Sequence, residues 1–406
     1  MADKLSERPL IVLCDDEPQT ADSWRVDLEA LTDVAAAFDV AIVDKAEFET
    51  DVVRLEDRRN SLRREEKPDP ASTIFDAASV LVVDYDLYEY KPEQLLTGDS
   101  IAYLARSFSS CGYIVGVNQD RIPNPFDLTL TAHSTVSTDL SIGSDQVADP
   151  GLWSGDPARW GSFRPWYWPV LPERADALVR LKERLIGLLD ASLAEVLTLP
   201  REMLDSLPRG VMTLLDVPDR PDIADVSLRD WVRSSQMGLR PGDRVADEDQ
   251  VARIAAARLA KWFERVLLPG QDVLVDAPHL VDKRPGLLTG NTTDPNVWQQ
   301  TARVGAGTDE LGLRTQRIAR HRFDGDWISR PVWLWLGISG DPGLDDALEA
   351  PRPEPRIVFA EDASRFVDVE GAKRYTSDVE PPFNSRWLAM AQDGTRYLPA
   401  ARLAVS

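Results

Sequence analysis

The sequence predicts an α/β protein: a doubly wound parallel sheet near the N-terminus, a linking amphipathic helix, then an α+β domain. Three observations carry this. The apolar runs LIVL (10–13), VAIV (40–43), SVLVV (79–83) and YIVGV (113–117) are each long enough for one fully buried strand. Segments of helical periodicity separate them, which is the alternation of a parallel sheet with helical crossovers. Two of the runs end in carboxylates, Asp15–Asp16 and Asp84, and the carboxyl ends of strands form the site in such sheets.

Taken in order, Leu10–Leu13 is the first strand, closed by Cys14, Asp15 and Asp16. Residues 19–38 read as a helix, with Trp24, Leu28, Leu31 and Val34–Ala35 at helical spacing. Val40–Val43 is the second strand. Residues 45–66 are charged and end in RLEDRRNSLRREE, so a solvated helix and a loop are expected before Pro68 and Pro70 break the chain. Ser79–Val83 is the third strand, ending at Asp84. Residues 99–109 form an amphipathic helix with Ile101, Leu104 and Phe108 on one face. Tyr113–Val117 is the fourth strand, followed by Asn118.

Residues 121–170 are rich in Pro, Gly and aromatics, and Trp153, Trp160, Trp166, Tyr167 and Trp168 crowd together. Such density reads as a loop held on the domain by aromatic burial, in preference to a ligand-stacking surface. Glu173–Leu199 is the clearest helix, with Leu178, Leu181, Leu185, Leu188–Leu189, Leu193 and Val196 at helical spacing between Pro172 and Pro200. Its leucines do not keep a strict heptad, which favours docking within the chain over a homodimer seam. The expected division is a domain over 1–170, a linking helix over 171–200 and an α+β domain over 201–406. In the last, Asp249–Leu268 reads as an amphipathic helix, and Asp272–Val275, Pro331–Gly337 and Arg356–Ala360 as strands. Asp393–Gly394 suggests a hairpin between Trp387–Ala391 and Thr395–Leu398. Residues 341–355, acidic and proline-rich, read as an exposed loop.

Composition narrows the function. Across 406 residues the net charge is -22, which repels phosphate backbones and argues against nucleic-acid binding. No apolar run approaches the ~20 residues of a membrane span, and MADKLSERPL has no apolar core of a signal peptide. The two cysteines, Cys14 and Cys111, sit in apolar runs, so no disulfide framework is expected and a reducing cytoplasm is the natural home. His133, His279 and His321 are too scattered for a zinc site.

An acid pair at one strand end and a third carboxylate at another make a hard oxygen cage suited to Mg²⁺. An aspartate facing such an ion can attack a phosphoryl group. The runs LIVLCDDEP (10–18), SVLVVDYDLY (79–88) and YIVGVN (113–118) resemble a response-regulator receiver domain over roughly residues 8–150. The resemblance implies that Asp15, Asp16 and Asp84 bind Mg²⁺ with the backbone carbonyl of Asp86. It implies that Asp84 is phosphorylated by a cognate histidine kinase. It gives Asn118 the phosphoryl contact that the family assigns to Ser or Thr. DLSIGSDQ (139–146) takes the fifth-strand position and has no match to the family's Lys-Pro pair; Lys91–Pro92 lies directly after the third strand instead. Without that lysine, a phosphate sink or weakly coupled switch is expected. A receiver with a long partner domain that does not bind DNA is similar to those of bacterial phage-defence phosphorelays.

Two other readings stand beside it. Strand-end acids also cap helices, which would make this an interaction scaffold with a degenerate receiver. Asp84-Tyr85-Asp86 is also similar to the DxD opening of haloacid-dehalogenase-like phosphatases, for which Lys182 and Asp345–Asp346 are the loose matches and the early acid pair has no use. In the C-terminal half His279 lies in DAPHLVDKRPG among Asp272, Asp276 and Asp282. A lone histidine beside proline is more often packed than catalytic. No GxSxG, P-loop, HExxH or dinucleotide-binding glycine motif occurs, and no catalytic residue is assigned.

Overall fold

The computed structural model describes residues 8–87, 97–118, 137–154, 169–207, 209–217, 222, 225–235, 237–288, 294–303, 316–323, 326–352, 354, 356–377, 379, 381–389, 394, 396–398 and 403–405. Lys91–Pro92, His133, Trp160, Trp166, Tyr167 and Trp168 lie outside them. The described chain forms two compact units, one reaching Lys261 and one from Trp262 onward. No described helix is long and apolar enough to cross a membrane.

The first unit holds a five-stranded, all-parallel sheet. Its strands are β1 (Leu10–Cys14), β2 (Asp39–Ile42), β3 (Ala78–Asp84), β4 (Tyr113–Asn118) and β5 (Leu140–Gly143), in the order β2-β1-β3-β4-β5. The apolar runs form strands because burial of Val, Ile and Leu on both faces outweighs their uniformity, and β1, β3 and β4 are buried almost throughout. The order reverses between β1 and β3, and ligand sites of open parallel sheets lie at the carboxyl ends beside such a switch point.

Helices flank the sheet. The expected 19–38 helix is two, Pro18–Glu29 and Thr32–Ala37, with Pro18 set at the first turn, where its missing N–H costs nothing. Helix Lys45–Arg63 starts at Asp44, whose carboxylate accepts the Glu47 N–H at 2.9 Å. It is not merely solvated: Phe48, Val52, Leu55 and Leu62 form a buried stripe, and buried Asp51 accepts the Ile74 N–H at 2.7 Å. Helix Gly98–Phe108 packs on β3 and β4. The long leucine helix stops at Gly187, giving Leu171–Ile186 and a separate turn of helix, Leu193–Leu197. Glycine's backbone freedom makes it a poor continuation. Helix Leu171–Ile186 packs on β3, β4 and helix Glu248–Lys261, so the first unit runs on past residue 200.

In the second unit, β6 (Leu274–Asp276), β7 (Arg322–Phe323) and β8 (Val332–Leu334) form an antiparallel sheet. Strands β9 (Ile357–Ala360), β10 (Arg365–Asp368), β11 (Lys373–Thr376) and β12 (Ser385–Leu388) form another, in the order β10-β9-β12-β11. Among the described residues the expected hairpin onto β12 is not seen. Both edges of β12 are taken, by β11 and β9, so β13 (Arg396–Leu398) pairs with β14 (Leu403–Val405). The run PVWLWLG divides into β8 and a short helix, Trp335–Ser339. Trp262, Trp298, Trp327 and Trp333 are buried completely and supply much of the apolar area of this unit.

Candidate functional site

The carboxyl ends of β1 and β3 bring the predicted acids together. Asp15 and Asp16 follow the last residue of β1, and Asp84 is the last residue of β3. Register pairs Cys14 with Val83, so the acid pair and Asp84 leave the sheet side by side. Carboxylate oxygens of Asp15, Asp16 and Asp84 all lie within 4.8 Å of one another. Asp15 and Asp84 are buried, and Asp16 is half-buried. Asp15 Oδ1 accepts the Glu17 N–H at 2.7 Å, which turns the chain into helix Pro18–Glu29.

Asp84 is the anomalous member. Its side chain is 2% exposed, and Oδ1 has no hydrogen-bond partner among the described residues. Burial pushes its carboxyl up to about 8; Asp15 and then Asp16 add to the rise, against the backbone N–H groups of Tyr85 and Asp86. Cys14, buried next to the pair, is also raised, by burial first and then by Asp15 and Asp84. Three carboxylates so placed, one with an unpartnered oxygen, could hold a hard cation such as Mg²⁺.

The remaining predicted residues stand around this cluster. Asn118 ends β4, one residue beyond Val117, the register partner of Asp84. Asp86 is exposed and forms an isolated bridge with Thr97. β5 ends at Gly143 and is followed by Ser144, whose hydroxyl accepts the Trp24 Nε1–H at 3.3 Å. Lys182, the lysine a phosphatase reading would use, lies 2.8 Å from Asp249.

Sequence reasoning missed what presses on Asp84 from its own crossover. Thr97 caps helix Gly98–Phe108, its hydroxyl accepting the Ser100 N–H at 3.3 Å. Gly98 donates its N–H to the Tyr85 carbonyl at 2.7 Å, and a Cβ there would overlap the Asp84 carbonyl oxygen. Only glycine lets the two backbones approach so closely. The signal was available in TGDS (97–100), a capping threonine followed by glycine.

In the second unit His279 is no surface residue. Its Nδ1 is 2.7 Å from Asp276 Oδ1 and its Nε2 is 2.8 Å from Glu361 Oε1. Arg386 donates to Glu361 Oε1 at 2.7 Å and to the carbonyls of Pro269 and Gly270, and the Tyr397 hydroxyl donates to Glu361 Oε2. Burial raises the Glu361 carboxyl, but Arg386, His279 and Tyr397 outweigh it and hold the group well below the usual range. Asp282, one of the acids near His279 in sequence, pairs with Lys283 instead. Asp276, His279, Glu361 and Arg386 are each at most 2% exposed, so the cluster is a buried ionic core.

No family model, curated protein or solved structure matches the chain, so the fold and the acid cluster stand on their own geometry.

Proposed function

We propose that this chain is a response-regulator-type signalling protein in which Asp84 accepts a phosphoryl group from a histidine kinase, with Mg²⁺ as cofactor. One observation carries the reading: a strand-end aspartate beside the switch point of a β2-β1-β3-β4-β5 parallel sheet has a buried, unpartnered oxygen within a cluster of two further carboxylates. Asp15, Asp16 and Asp84, with the Asp86 carbonyl, would hold the cation. When bound, Mg²⁺ offsets the charge of the acids and of the incoming phosphoryl oxygens.

The chain's own residues then do the following. A carboxylate oxygen of Asp84 attacks the phosphorus of a phosphohistidine. The O–P bond forms as the P–N bond breaks, and the bond pair leaves on the imidazole nitrogen, which takes up a proton. Asn118 is the side chain assigned to donate to a phosphoryl oxygen. The bridge between Asp86 and Thr97 and the glycine contact at Gly98 fix the backbone that carries the nucleophile. On the same resemblance, the setting is a phosphorelay of the bacterial defence type.

Incubation with acetyl phosphate and Mg²⁺ should add one hydroxylamine-labile phosphoryl group by intact mass spectrometry, and Asp84→Asn should abolish it. Absence of the adduct in the wild type, with no beryllofluoride binding, would leave an interaction scaffold in place of an acceptor.

A further inference from the structure

Helix Gly98–Phe108 is buried around its whole circumference. A helix lying on a sheet normally keeps one wet face, yet here every residue except Asp99 and Ser100 is buried. The inward side is explained by the sheet: Ile101, Ala102, Ala105 and Phe108 join the core built on β1, β3 and β4. On the outward side Arg106 pairs with Asp139, while Tyr103 and Ser107 are covered by residues 240–250, beside helix Lys45–Arg63.

That cover is polar and specific. The Tyr103 hydroxyl donates to Asp243 Oδ2 at 2.6 Å and accepts the Arg240 N–H at 2.9 Å. The Arg240 guanidinium lies over the Tyr103 ring, 4.0 Å from its centre, and reaches Asp99 at 3.6 Å. Asp243 is held from the other side by Arg59 Nε at 2.8 Å and Arg63 Nε at 2.6 Å. Gln250 donates its side-chain amide to the Ser107 carbonyl. At the start of β5, Asp99 accepts the Ser137 N–H at 2.6 Å, and Lys261 Nζ donates to the Thr138 carbonyl at 2.9 Å.

The same helix begins on the acceptor. Gly98 rests on the Asp84 carbonyl and bonds the Tyr85 carbonyl, and Thr97 bridges Asp86. Any shift of the Asp84–Asp86 backbone therefore meets the helix end with no gap to absorb it. A close-packed helix passes such a shift along its length as a rigid body.

We propose that helix Gly98–Phe108 is the output element of this protein: it couples the state of Asp84 to residues 237–261 through Gly98 at its start and Tyr103, Arg240 and Asp243 along its side. The proposal rests on the reading of Asp84 as a phosphoryl acceptor. It gives a route that needs no cation after β5, so the missing lysine does not disconnect the switch. Asp84 occupancy then changes how firmly the 237–261 segment is held.

Hydrogen exchange of the full chain, with and without Mg²⁺ plus beryllofluoride, tests this. In the wild type both residues 84–101 and residues 237–261 should change, the latter by at least about fivefold in exchange rate, the lower end of typical coupling. In Arg240→Ala and in Tyr103→Phe, residues 84–101 should still respond and residues 237–261 should not. Arg240 is partly exposed, so its truncation leaves the buried Asp243 pairs in place and keeps the test alive if Tyr103→Phe misfolds. A wild-type response confined to 84–101 overturns the coupling and leaves the acceptor intact. A response at 237–261 that survives both substitutions overturns the route. No response at 84–101 in the wild type removes the acceptor reading itself, and the coupling with it.

Discussion

Replacing Asp84 with Asn should stabilise the cation-free protein. The carboxyl is 2% exposed and pushed up to about 8 by burial and by Asp15, against roughly 3.9 in an unfolded chain. Between those values the folded state holds a proton that the unfolded state has released. Stability therefore falls as pH rises from about 4 to about 8. At about pH 7 some three pH units of this penalty have accumulated, at about 1.4 kcal/mol each, which sets an upper bound of roughly 4 kcal/mol. Relaxation of the buried site and effective dielectric reduce it, and about 2 kcal/mol is the working figure. Asparagine keeps the shape without the charge, so it escapes the penalty. For a unit of this size each kcal/mol moves the melting temperature by about 2–4 °C. In EDTA at about pH 7.5, Asp84→Asn should then melt several degrees above the wild type, and at about pH 4.5 the gap should close. Thermal melts of both proteins across that range, followed by circular dichroism, make the measurement. A pH-independent difference, or a variant that melts lower throughout, would refute the argument that crowded, buried carboxylates strain this strand end.

Three further outcomes are expected. Mg²⁺ at a large excess over its dissociation constant should raise the melting temperature of the wild type by stabilising it about 2–3 kcal/mol, and should leave Asp16→Ala unmoved in the same scan. Gly98→Ala should lower stability by about 3 kcal/mol in urea unfolding, because its Cβ overlaps the Asp84 carbonyl and backbone must yield. Asp76 is raised by burial but drawn down to about 2 overall by Arg58 and by the Thr73 and Ser110 N–H groups; it thus lends about 2 kcal/mol that is present above about pH 4 and lost as pH falls towards about 2. Asp76→Asn should accordingly cost about 2 kcal/mol near neutrality and little near about pH 2, as read by denaturant midpoints.

What the sequence made legible is what local pattern encodes. The strands were visible because a run such as SVLVV has no use except burial, and the acids of the site were visible because they stop such runs. The break at Ala30–Leu31 was not, since neither residue is a helix breaker. The stripe Phe48, Val52, Leu55, Leu62 was hidden by the charges that surround it. Helix Gly98–Phe108 was found from Ile101, Leu104 and Phe108, but its covered outer face was not. The residues that cover it, Arg240, Asp243 and Gln250, lie 137, 140 and 143 positions from their partners. No periodicity reports a contact of that span. His279 is packed, as its place beside proline suggests, but its partners Glu361 and Arg386 follow it by 82 and 107 residues and lie beyond any local pattern.

That last span has a bearing on how the chain is made. The first unit is complete in sequence at Lys261, whereas the ionic core of the second needs Asp276, His279, Glu361, Arg386 and Tyr397 together. At ribosomal speeds of about 5–20 residues per second, on the order of ten seconds separate the two. Throughout that interval the nascent second unit carries Asp276 and His279 with nothing to close over them. A fragment that stops short of Arg386 would leave Glu361 facing an apolar interior without its cation, at a cost of about 3–5 kcal/mol. A C-terminal piece of this protein must therefore be kept whole through Tyr397 if the ionic core is to close.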